Sequence, residues 1–195
     1  MTVDAPNTMR AATERARAWP IPLVAAVLLA ELAHLVWEQL HGGIVSHHLL
    51  ARPDLPAIWN GWGLVLLPAL AWWVSGRVAR RIARRADRRV AVRNAWLGSI
   101  VAAGLGIALS IAFVTGMEDA AAGVLLSAFV LGLLLPAYRA ECLLGFVLAM
   151  TFVFGAILPL LIGGIVATLS AVAHLVLYAL ARRVWRRSRE RAALA

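Results

Sequence analysis

The sequence predicts an all-α fold: a polytopic membrane bundle of about six transmembrane helices, with both termini on the cytoplasmic side. Three observations carry that expectation. First, 62% of the 195 residues are hydrophobic and only 15% are charged, whereas soluble domains are nearer half apolar and a quarter charged. A soluble fold of this size could not hide so much apolar surface. Second, the apolar residues fall in stretches near the ~20 residues needed to cross a hydrocarbon core of ~30 Å. Third, the 19 basic residues are all arginine and stand in blocks beside those stretches. Blocks of this kind set topology in a bilayer.

Residues 1–18 form a polar tail with Arg10, Arg15 and Arg17. The apolar run that follows resembles the start of a signal peptide. Glu31, His34 and Glu38 interrupt the region where cleavage would fall, and no small-x-small site precedes a mature domain. An uncleaved first span over 19–40 is therefore expected. Residues 41–56 read as a loop punctuated by Gly42-Gly43, Pro53 and Pro56. A second span is expected over 57–76, followed by an arginine-dense segment, 77–93, holding eight arginines. The spacing of Arg77, Arg81, Arg84 and Arg88 predicts that the second helix continues as a basic helix.

Third and fourth spans are expected over 95–115 and 120–137, joined by a tight turn with Glu118 and Asp119. The short connection Tyr138-Arg139-Ala140-Glu141 leads to a fifth span over 142–162, and Arg139 and Glu141 read as an ion pair at the interface. Gly163-Gly164 is the expected turn before a sixth span over 165–181, and residues 182–195 form a basic tail with six arginines. Gly98, Gly104 and Gly106, with Gly145 and Gly155, suit close helix packing. The domain expectation is thus a polar tail (1–18), one transmembrane domain (19–181) and a basic tail (182–195).

With an even number of spans, every arginine except Arg52 falls on one side. The positive-inside rule places that side in the cytoplasm, as for a protein of the bacterial-type inner membrane. Tryptophans at both expected interfaces agree: Trp19, Trp72, Trp73, Trp96 and Trp185 at the inner ends, Trp37, Trp59 and Trp62 at the outer. The expected partners are the bilayer and, for the arginine blocks, anionic lipid headgroups, each surface arginine contributing on the order of 1 kcal/mol. The net charge of +9 has this topological explanation, and no nucleic-acid partner is expected. Homo-oligomerisation and protein partners are left open.

The functional candidates are ionisable groups where a bilayer penalises them. Glu31, His34, Glu38 and His41 fall within roughly 80° of arc on the first helix, spanning ~15 Å of its axis. Such groups turn toward a protein interior or a water-filled cavity and usually act there. Counting ~1.5 Å per residue from the inner boundary, Glu31 and His34 lie at ~18–22 Å, Glu38 and His41 at ~28–33 Å, and Glu118 and Asp119 at ~36 Å. The 41–56 loop adds His47, His48 and Asp54 on the outer side. His174, on the sixth span, lies at ~12 Å.

Three readings follow. Imidazole with carboxylate is the usual ligand set for zinc or non-haem iron. On the first reading, His41, His47 and His48 hold a divalent metal near the outer face. Glu38 is then base or ligand, Glu118 and Asp119 are supporting acids, and the substrate is a lipid or another apolar molecule. On the second, Glu31, His34, Glu38 and His41, with His174, form a proton or cation relay in a transporter or channel. On the third, the protein is a non-catalytic subunit or scaffold that docks partners on its arginine-rich face. The absence of lysine excludes Schiff-base chemistry, and a single cysteine, Cys142, excludes an intrachain disulfide. Phosphate-binding loops, dinucleotide motifs and nucleophile elbows are absent. The block from Glu38 to Gly63, with Ser46-His47-His48 and Trp59-Asn60-Gly61-Trp62-Gly63, stands out as a dense motif without a recognised pattern.

Overall fold

The computed structural model describes residues 20–48, 54, 56–180 and 182–183. Residues 1–19 and 184–195, with Trp19 and Trp185 among them, Arg52 and most of the 49–55 segment lie outside the described residues. Six helices account for nearly all of the rest: α1 (Pro20–Leu40), α2 (Gly63–Ala83), α3 (Arg88–Val114), α4 (Glu118–Leu134), α5 (Ala140–Phe154) and α6 (Ile157–Ala171). A wider π turn, Val172–Leu177, extends α6. Four of these segments, containing α1, α2, α3 and α6, are long and apolar enough to cross a membrane. Large apolar side chains line the outside of the helices. Leu29, Trp96, Val114 and Leu126 are each 65–68% exposed, a surface that water-soluble monomers rarely present and that lipid would solvate.

Residues 41–56, expected to be loop, contribute one strand of a small antiparallel pair. β1 (Ser46–His48) pairs with β2 (Ala57–Trp59), with His47 opposite Ile58. A single 3₁₀ turn, Asn60–Trp62, then feeds α2. The second helix therefore begins six residues later than expected, because Ala57–Trp59 finds its backbone partners in β1. At its other end α2 stops at Ala83, with Arg84 as its cap, and so does not run on through Arg88. Asp87 ends the continuity: its side chain accepts from the Val90 amide at 3.0 Å and starts α3.

The expected fifth span also changes. The chain breaks at Gly155, eight residues before the expected Gly163-Gly164 turn. Gly155 has φ +66° and ψ −177°, a region open essentially to glycine alone. Pro159 then falls in the first turn of α6, where its missing amide hydrogen is not needed. Gly163 and Gly164 are helical, and Gly163 packs closely on Leu143 and Phe146.

The bundle is organised around α5. α3 packs along it more extensively than any other pair of helices pack. Close approach comes from Gly106, set against Phe146, Ala149 and Met150, and from Gly145, set against Ser99. One core cluster joins Val27, Leu67, Ala71, Val74, Leu144, Val147 and Ala156 across α1, α2, α5 and the α5–α6 turn. A second joins Leu109, Phe146 and Met150. Small residues at helix contacts suit packing in lipid, where van der Waals fit replaces the hydrophobic drive.

Candidate functional site

On α1 the buried residues are Val27, Glu31, His34, Leu35 and Glu38. Three of the five are ionisable, and they occupy one face at spacings of three and four. His34 lies between the two carboxylates. Its Nδ1 is 3.5 Å from Glu31 Oε2 and its Nε2 is 3.3 Å from Glu38 Oε1. Glu31, His34 and Glu38 are 3%, 9% and 5% exposed, so this triad is sealed from bulk solvent. The ring of His34 rests against Phe152 of α5, with centroids 5.0 Å apart.

The next link comes from the 3₁₀ turn. Asn60 is buried, and its amide donates to Glu38 Oε1 at 2.6 Å. The same Nδ2 lies 3.4 Å from His47 Nε2, and Glu38 Oε2 accepts from the Val45 amide at 3.2 Å. The order is therefore Glu31, His34, Glu38, Asn60, His47, running from the middle of α1 to the β1–β2 pair. A recess of about 10 Å³ adjoins its His47 end between His47, Asn60, Trp62 and Gly155, on the scale of one water molecule.

Two glycines make this packing feasible. A side chain on Gly63 would collide with the Glu31 carboxylate, and one on Gly155 would collide with the Asn60 carboxamide. The α5–α6 turn and the start of α2 thus both close onto polar groups of the network. Irregular backbone is tolerated where it is buried in protein or lines a cavity, and here it is buried against the network.

Since Asn60 donates from Nδ2, His47 Nε2 must accept and the ring must be neutral. Burial pushes the His47 pKa below its usual 6.5; Glu38 opposes that shift and His34 reinforces it. A histidine whose folded pKa is depressed binds fewer protons folded than unfolded near that value. Stability is then fully present above pH ~6.5 and is lost as pH falls toward the folded pKa. Thermal melts in detergent between pH 7.5 and 5 should slope downward for the parent protein. The slope should be shallower in His47→Gln, and equal slopes in the two proteins would remove this account.

The other sequence candidates lie apart from the network. His41 is exposed, stacks on Trp37 and donates through Nδ1 to the Trp37 carbonyl at 2.7 Å. The His48 side chain lies outside the described residues. Glu118 and Asp119 are exposed in the first turn of α4, where negative charge complements the helix dipole. His174 hydrogen-bonds the Ser170 carbonyl at 3.0 Å and lies between Tyr138 and Tyr178. Among the described residues, no three histidine, cysteine or acidic side chains are grouped to hold a metal ion. The expected cluster of His41, His47 and His48 finds no support for metal binding, since His41 turns back on its own helix while His47 turns to Asn60.

The interface pair is also rearranged. Glu141 is bonded by Arg81 of α2, Nη2 to Oε1 at 2.5 Å, and not by Arg139. At the start of α5 its carboxylate is buried and turned toward α2, while Arg139 is left without a carboxylate partner among the described residues. Sequence reasoning missed Asn60, Gly63 and the role of Gly155. The one available trace was the density of the Trp59–Gly63 motif.

No family model, no curated protein and no solved structure matches this chain.

Proposed function

We propose that this protein is an integral membrane protein of six spans, with its arginine-rich end in the cytoplasm, that takes up protons or small cations from the outer side through the α1 network as part of a coupled transport cycle. The observation that carries the reading is the triad of two buried carboxylates sharing one imidazole. With every group ionised it holds a net charge of −1, and neither Glu31 Oε1 nor either ring nitrogen of His34 has a hydrogen-bond partner. Buried charge without a matched partner is strongly unfavourable. One further proton restores neutrality. The site therefore has a built-in need for the species proposed to move through it.

The route follows from the atoms. Once the 3.3 Å and 3.5 Å approaches tighten to hydrogen bonds, a proton arriving at Glu38 passes to His34 Nε2, and the imidazolium releases the opposite proton from Nδ1 to Glu31. One proton thus advances across the ring without any side chain travelling far. Asn60 holds Glu38 in line and carries no exchangeable charge, so it is a positioning residue. Beyond Glu31 the path meets Val27, Leu67, Ala71 and Val74, which are buried and apolar. Passage to the arginine-rich side therefore requires a change in packing, which favours a coupled transporter over an open pore.

Proteoliposomes carrying an internal pH dye provide the test. An imposed gradient should drive proton uptake by the parent protein, and Glu31→Gln or His34→Ala should slow it at least ~10-fold, as for removal of a proton-transfer group. Uptake unchanged in both variants would overturn the proposal.

A further inference from the structure

A cavity of about 320 Å³ opens between α3, α4, α5 and α6 near the arginine-rich end. This volume is at the lower end of the range for ligand sites. Its walls are apolar, with Leu97, Val101, Leu131 and Phe146 among them, and its room comes from small residues such as Gly132 and Gly163. Asn94 and Arg139 are the polar residues of the lining that stand at its arginine-rich end. The cavity shares no residue with the Glu31–His47 network.

Arg139 gives this cavity its chemistry. It is half-buried, and the carboxylate two residues on, Glu141, is already bonded to Arg81. A cation left over at the rim of an apolar slot fits one kind of molecule: an anionic head with an acyl chain. The positive charge is part of a pattern, since arginines cover the neighbouring α2–α3 segment. Basic pockets between transmembrane helices on the cytoplasmic side are suited to acidic lipid headgroups. We infer that an anionic phospholipid of the inner leaflet binds here, its phosphate on Arg139 and Asn94 and one acyl chain in the cavity. The chain would complete the contact between α4 and the α3–α5 pair, which the small residues leave open.

Cys142 lines the same cavity and is the only cysteine, so its reactivity reports occupancy. Delipidated full-length protein in detergent should react at Cys142 with a short alkyl thiosulfonate. Phosphatidylglycerol at about ten times its Kd should slow that reaction roughly tenfold, whereas phosphatidylcholine with the same chains should leave it nearly unchanged. Arg139→Gln should lose the protection and Arg139→Lys should keep most of it. Equal protection by both lipids, or by neither, overturns the inference. Protection by oleate but not by phosphatidylglycerol overturns the phospholipid assignment. If Arg139→Gln cannot be purified, the two-lipid comparison on the parent protein decides alone. Failure here leaves the transport proposal standing, because no network residue is altered.

Discussion

Gly155→Val is expected to destabilise the protein by about 2–6 kcal/mol, the larger of the two structural effects anticipated. Two independent costs add. A β-branched residue forced to φ +66° and ψ −177° bears strain on the order of 1–3 kcal/mol. Its side chain would also enter space held by Asn60, and overpacking costs about 1–3 kcal/mol. Asn60 would have to withdraw from Glu38, so loss of stability and loss of proton uptake should occur together. Reversible unfolding in mixed micelles measures the first and the liposome assay the second. A Gly155→Ala variant as stable as the parent would show that neither the backbone nor the contact constrains this position.

Arg81→Ala should cost about 2–3 kcal/mol. Removing one partner of a buried ion pair costs ~3–5 kcal/mol because it strands the other charge. Glu141 is 5% exposed and would be stranded. The Arg81 side chain is 27% exposed, and partial hydration places the expected value below that range. The pair ties α2 to the start of α5, so its loss should loosen the arginine-rich end. Arg81→Ala combined with Glu141→Leu should recover most of the lost stability, since an apolar replacement of both partners removes the stranded charge. A double variant no better than Arg81→Ala alone would assign the cost to lost packing by the arginine stem.

The helical class was legible because composition and arginine placement report it directly, and neither depends on side-chain detail. The inward turn of Glu31, His34 and Glu38 was legible for a related reason: helical periodicity puts them on one face, and lipid penalises the alternative. What escaped the sequence was tertiary. Nothing local indicates that Asn60 reaches back to Glu38, twenty-two residues away, because that contact depends on β1–β2 pairing. The α5–α6 break was misplaced because two adjacent glycines resemble a turn more than one does. Gly155 wins through its contact with Asn60, which sequence cannot display. Arg139 and Glu141 are near in the chain, but α2 brings Arg81 to the carboxylate first.

The apolar cluster beneath Glu31 has an electrical consequence. In a polarised membrane, voltage drops mainly across the layer of lowest permittivity and little across polar or hydrated regions. If protons move along the proposed α1 route, that layer would be the apolar cluster of Val27, Leu67, Ala71 and Val74, and the field would be concentrated over a few side chains. Moving one charge through the full potential is worth ~2.3 kcal/mol per 100 mV. On the proposed transport reading, most of that work would be done on the single step past Glu31, and membrane voltage would accelerate or stall that step.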